Sequence, residues 1–118
     1  MRAANPKVLI DFHEDGKKPA FTPDGMTIDT DGNLYVAAFG SSKVLQVNAK
    51  SKKVEMEIKL PVASITSVAF GGPNLDVLFV TTASISQNNA VKQPITAGSV
   101  FKVTELGVRG TKMYNAHL

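Results

Sequence analysis

A chain of 118 residues with 43% hydrophobic and 19% charged side chains is long enough for one domain with a real core and too apolar for a disordered one. Thirteen basic against ten acidic residues give a net charge of +3, and only Lys17-Lys18 and Lys52-Lys53 are adjacent, so the basic residues read as a solvated surface and not a nucleic-acid groove. Cys is absent, which excludes disulfides and thiolate metal sites, and no apolar run has membrane-spanning length.

The opening residues 1–6 lack the apolar segment of a signal peptide, so a cytoplasmic chain with no membrane partner is expected. Lys7-Val8-Leu9-Ile10-Asp11-Phe12 is a short β-type run. Residues 13–22, with charges, Gly16 and Pro19, read as a surface loop. His13-Glu14-Asp15 has the composition of a metal triplet, but three consecutive residues on a loop or strand do not point the same way. A solvated connector is the simpler reading.

Pro23-Asp24-Gly25 forms a constrained corner ahead of the next strand. Pro23 fixes its own φ and biases Thr22 toward extended backbone, while Gly25 permits a sharp turn. Asp24 between them is either the cap of a turn or a carboxylate aimed at a ligand. Met26 and Ile28 then alternate with Thr27 and Asp29, the period of a half-buried strand. Asp31-Gly32 supplies the positive φ angles of a two-residue hairpin turn, and Asn33 tolerates them too. Leu34, Tyr35, Val36, Ala37 and Ala38 form a nearly continuous apolar run, expected of a strand covered on both faces. Asp29-Thr30-Asp31-Gly32-Asn33 also resembles the opening of an EF-hand loop. That pattern needs a glycine where Leu34 stands and an acid where Gly40 stands, so a hairpin accounts for it better.

Residues 39–42 read as a turn, and Lys43–Asn48 as a strand with Val44 and Gln46 facing one way and Leu45 and Val47 the other. After the polar turn 49–52, residues 54–60 alternate with Val54, Met56, Ile58 and Leu60 on one face. Four strands with short connections make an antiparallel meander, and no segment sustains a helical period. After Pro61 the pattern restarts: a strand Ile65–Phe70, a turn Gly71-Gly72-Pro73-Asn74, and a strand Asp76–Thr82. Leu34-Tyr35-Val36-Ala37 superposes on Leu78-Phe79-Val80-Thr81 with a constant offset, and Lys43–Val47 on Ser99–Val103 after a longer loop, 83–98. Gly71-Gly72 lacks the Gly-Lys-Ser/Thr of a phosphate loop, and Ser67 and Ser84 lack His and acid partners at recognisable spacing.

A strand-turn-strand unit that recurs in this way is the signature of propeller blades. The expected fold is all-β, a partial propeller of antiparallel meanders: an outer strand at about 7–12, a complete four-stranded blade at about 23–60, three strands of another at about 65–104, and a tail at 105–118. An open stack of blades leaves apolar faces wet and strand edges unpaired. The chain is therefore expected to be a piece of a longer protein, or to self-associate through its exposed blade faces.

Pro23-Asp24-Gly25-Met26, Gly32-Asn33-Leu34-Tyr35-Val36-Ala37, the stretch 66–76 and Leu106-Gly107-Val108-Arg109-Gly110 resemble the C-terminal part of the regucalcin (senescence marker protein), gluconolactonase and luciferin-regenerating enzyme family, the insect members most closely. The resemblance runs from about Lys7 to Gly110. It implies a six-bladed β-propeller with a divalent metal, calcium or zinc, at the mouth of its channel, held by a Glu, an Asn and an Asp. The Asp of the Pro-Asp-Gly motif falls on Asp24, which the resemblance makes both metal ligand and base toward the attacking water. The implied reaction is hydrolysis of sugar lactones, or processing of a luciferin-related small molecule, with a hard cation polarising a carbonyl. The family's Glu and Asn ligands and its substrate-contacting Arg and Asn have no counterparts here, so this chain alone is expected to hold the ion weakly. The reading is thus a fragment or truncated form of a metal-dependent lactone hydrolase. The alternative is a non-catalytic propeller segment with a calcium-regulatory or interaction role. The terminal Ala116-His117-Leu118 is a weaker relative of a peroxisomal address, with an unaddressed tail as the other reading.

Overall fold

The computed structural model describes residues 4–85 and 92–114. Seven strands run through them: β1 (Thr22–Ile28), β2 (Asn33–Phe39), β3 (Lys43–Asn48), β4 (Lys53–Lys59), β5 (Ile65–Gly71), β6 (Val77–Thr82) and β7 (Val100–Val103). They form two antiparallel meanders, a four-stranded sheet ordered β1-β2-β3-β4 and a three-stranded sheet ordered β5-β6-β7. The all-β architecture and both meanders are as expected from the sequence.

The sheets stack through one core. Tyr35, Ala37 and Val44 of the first sheet pack with Ile65, Val68, Leu78 and Val80 of the second, and Phe70 meets the Tyr35 ring edge-on at 5.1 Å. The reverse face of the first sheet carries a smaller cluster, Val36, Ala38, Leu45 and Val47, lidded by Ile10, Phe12 and Phe21. β2 is thus buried on both faces, as its unbroken apolar run predicts.

The segment 7–12, expected as an outer strand, forms no strand. A strand exists only where a neighbour completes its hydrogen-bond ladder. Here the segment instead lays Ile10 and Phe12 on the reverse face of the first sheet, with Val8 and Leu9 left exposed. The β1–β2 connection also differs. Asp29 N–H donates to Asn33 O and Gly32 N–H to Asp29 O, which defines a three-residue loop, Thr30-Asp31-Gly32. Only Gly32 has a positive φ, +84°; Asp31 does not.

In β1 and the residue that follows it, polar Thr27 and Asp29 are buried, and Met26 faces solvent. Burial of Asp29 is made tolerable by four donors: the N–H groups of Asp31 and Asn33, Asn33 Nδ2 and Tyr35 Oη, at 2.9–3.2 Å. Gln46 Nε2 donates to the same Tyr35 hydroxyl at 2.8 Å, so the network ties the hairpin to β2 and β3. In β4 the expected single apolar face is split, because Val54 opposes Val47 while Met56 opposes Gln46. The extra residue, Glu55, is a bulge that moves Val54 to the reverse face.

The stretch 105–110, read from sequence as part of the tail, is a strap between the sheets. Arg109 O accepts from Thr30 N–H, Gly110 bridges Asp29, and Gly110 N–H donates to Leu75 O at 2.7 Å. A side chain at residue 110 would collide with Phe70, so glycine is required there. Ala116-His117-Leu118 lies outside the described residues.

Burial, and the Asp29 carboxylate beside it, push the Tyr35 hydroxyl up to about 12. An unfolded chain ionises this tyrosine near its ordinary pKa of about 10 while the folded one keeps the proton, so its stabilising share is complete below pH 10 and is lost as pH rises toward 12. Melting temperatures across this window are expected to fall more steeply for the parent chain than for Tyr35→Phe; parallel curves would contradict the assignment.

Candidate functional site

The Pro23-Asp24-Gly25 corner lies inside β1, not ahead of it. Pro23 pairs with Ala38 and Met26 with Val36, so Asp24 and Gly25 together oppose the single residue Ala37. Two residues against one is a β-bulge, a device that re-aims a side chain out of the pleat. Gly25 rests on β5 of the second sheet: a Cβ there would lie 2.7 Å from Ser67 Cβ and 2.8 Å from Ser67 Cα. No larger residue fits while the sheets keep this spacing. The bulge is therefore clamped between β2 and β5, and Asp24 projects from it.

Asp24 is exposed, and its carboxylate makes no hydrogen bond or ion pair among the described residues. This separates it from a turn-capping acid. Asp29 shows what such an acid looks like, with its oxygens taken up by backbone and side-chain donors. The EF-hand-like stretch is thus a structural hairpin.

Beyond Ser67, which meets Gly25, the second sheet carries a set of hydroxyls that the sequence did not single out. Thr66 and Thr81 share a hydrogen bond at 2.7 Å, Thr81 also donates to Ser67 O at 3.4 Å, and Thr82 donates to Ser99 O at 2.7 Å. Ser64 Oγ donates to Ile85 O at 2.5 Å, and the connection into β5 is fixed by Gly40 and Ser42 N–H groups donating to Ala63 O. The signal for these hydroxyls was the Thr-Ser and Thr-Thr pairs at positions 66–67 and 81–82.

The triplet 13–15 does not converge. His13 Nδ1 turns back to Asp11, whose carboxyl is held below the usual carboxylate range by the His13 N–H and ring, while Glu14 bridges to Lys17. Among the described residues no three His, Cys, Asp or Glu side chains stand close enough to hold a metal together. Asp24 fits a hard divalent cation in kind, being an unpaired oxygen donor in water. The chain falls short in number, since calcium takes six to eight oxygens.

Two stacked antiparallel meanders, with their first strands β1 and β5 side by side, are the arrangement of adjacent β-propeller blades. The chain belongs to the SMP-30/Gluconolactonase/LRE-like family, whose model matches residues 1–84. Regucalcin of Danio rerio is 44% identical over 95 residues, which cover 79% of this chain and 32% of that protein. The structure of a luciferin-regenerating enzyme superposes with a TM-score of 0.69 at 39% identity, covering 80% of this chain and 34% of the other. A calcium-binding protein, regucalcin, from Agrobacterium tumefaciens shares the fold with a TM-score of 0.69 at 22% identity, covering 89% of this chain and 34% of the other. The chain spans about a third of the length of these relatives.

Proposed function

We propose that Asp24 is one carboxylate ligand of a divalent-metal centre in a lactone-hydrolysing propeller, and the group that takes a proton from the attacking water. The carrying observation is an exposed carboxylate without a partner, on a bulge clamped between two blades, in the Pro-Asp-Gly motif of a family that includes gluconolactonase. The substrate class is a sugar lactone or a luciferin-related small molecule, and the ion is calcium or zinc. Calcium agrees with the name of the Agrobacterium relative. Rigidity is the contribution of this chain's own residues: Gly25 against Ser67 fixes where the carboxylate stands before any ligand arrives. The remaining ligands belong to other blades of a completed ring.

The absence of a three-ligand cluster among the described residues favours a second reading for the chain acting alone, a non-catalytic segment that contacts calcium without retaining it. Calorimetric titration of a single chain with calcium tests the ligand role of Asp24. Weak binding on the order of millimolar, lost in Asp24→Asn, is expected for one carboxylate. Tight stoichiometric binding, or binding indifferent to Asp24→Asn, would contradict the proposal.

A further inference from the structure

The two blades repeat more than their strand pattern. In the second sheet Ile65 pairs with Thr82 and Ser67 with Thr81, so Thr66 is an extra residue and β5 carries a bulge of its own. When the sheets are aligned on β2 and β6, with Leu34, Val36 and Ala37 in the places of Leu78, Val80 and Thr81, Pro23 falls on Ile65 and Met26 on Val68. Between them the pair Asp24-Gly25 falls on Thr66-Ser67. Thr66 is therefore the counterpart of Asp24 in the next blade. The bulges also abut, because Gly25 rests on its own counterpart, Ser67. Contact between equivalent residues sets the two bulges at one level, with Asp24 next to Gly25 in one strand and Thr66 next to Ser67 in the other.

What backs each bulge differs. Ala37, small and fully buried, stands opposite Asp24, whereas Thr81 stands opposite Thr66 and shares a hydrogen bond with it, Oγ1 to Oγ1 at 2.7 Å. A hydroxyl has one hydrogen and two lone pairs. Whichever threonine donates, Thr66 Oγ1 keeps at least one lone pair unused among the described residues. Thr81, which also reaches Ser67 O at 3.4 Å, holds the Thr66 rotamer. Thr66 is only partly buried, so water reaches it. The second blade thus holds an oriented neutral acceptor where the first holds a carboxylate.

We infer, on the reading of Asp24 given above, that Thr66 is a positioning residue of the same site: its hydroxyl accepts one hydrogen of the water from which Asp24 takes the other. The two side chains divide the work. Asp24 attracts the divalent cation and the proton, while Thr66, too weak a base to compete for that proton, aims the water held at the cation. A water so oriented brings less disorder to be overcome when it meets a carbonyl.

Calcium titration of the isotopically labelled 118-residue chain, followed by NMR at the Asp24 amide, tests the assignment. Thr66→Val keeps the shape and loses the hydroxyl, and is expected to raise the calcium Kd by about tenfold, as loss of an outer-sphere partner does. Thr66→Ser is expected to restore it. Thr82→Val removes a hydroxyl bonded to Ser99 O, outside the bulge, and is expected to leave the affinity unchanged. With manganese in place of calcium, the Thr66 methyl signal of the unsubstituted chain is expected to broaden together with the Asp24 amide. Undiminished calcium binding in Thr66→Val alongside its loss in Asp24→Asn would overturn the Thr66 assignment alone. So would an equal loss in Thr66→Val and Thr82→Val, or a Thr66 methyl that manganese leaves sharp. Binding indifferent to Asp24→Asn would overturn the Asp24 reading and the role of Thr66 with it.

Discussion

Asp29→Ala is expected to cost about 3–5 kcal/mol, a large share of a total stability on the order of 5–15 kcal/mol. Asp29 is 1% exposed and is the common acceptor of the hairpin N–H groups, the Asn33 amide and the Tyr35 hydroxyl. Alanine leaves the buried Tyr35 hydroxyl and the part-buried Asp31 and Asn33 donors without this acceptor, and a buried group so orphaned costs about 1–3 kcal/mol. The loss propagates, because Gly110 of the strap bridges Asp29 and Arg109 O holds Thr30. Asp29→Asn is expected to fall between the two. Its oxygen still serves the two backbone N–H groups, but its amide faces two donors. Urea unfolding followed by circular dichroism measures both, and a loss below about 1 kcal/mol for alanine would mean the network is not what holds the hairpin.

Asp24→Ala is expected to do the opposite: nothing to the fold and nearly everything to the chemistry. Asp24 is exposed and unpaired, so its removal should shift stability by no more than about 0.5 kcal/mol. In a chain carrying the complete ring, hydrolysis of a sugar lactone is expected to drop by on the order of 10³-fold or more, because a metal ligand and a proton acceptor are lost together. Unchanged turnover would sink the assignment.

The two aspartates show how far the sequence could be read. The strand pattern, the blade repeat and the constrained Asp24 corner were all legible, since they rest on local chemistry: alternation, turn residues, and the restraint of proline and glycine on φ. The side of β1 that would be buried was not. Met26 and Ile28 suggested one face, yet β5 and the strap cover the other, and that choice depends on residues forty and eighty positions away, about the distances to β5 and Gly110. Likewise the run at Val8 has strand propensity but lacks the neighbour that would make it one, and the Glu55 bulge hides in a perfectly alternating sequence. Gly25 read as a turn residue; its closer constraint, the approach of Ser67, exists only between blades.

The most direct measurement is paramagnetic broadening by manganese, a hard divalent cation, in the amide NMR spectrum of the isotopically labelled chain. Asp24 and Gly25 are expected to broaden first, with Ser67 following, and Asp24→Asn to abolish the effect. Broadening centred on the 29–33 hairpin or on residues 11–15, indifferent to that substitution, would show that the bulge carboxylate is not where a cation goes.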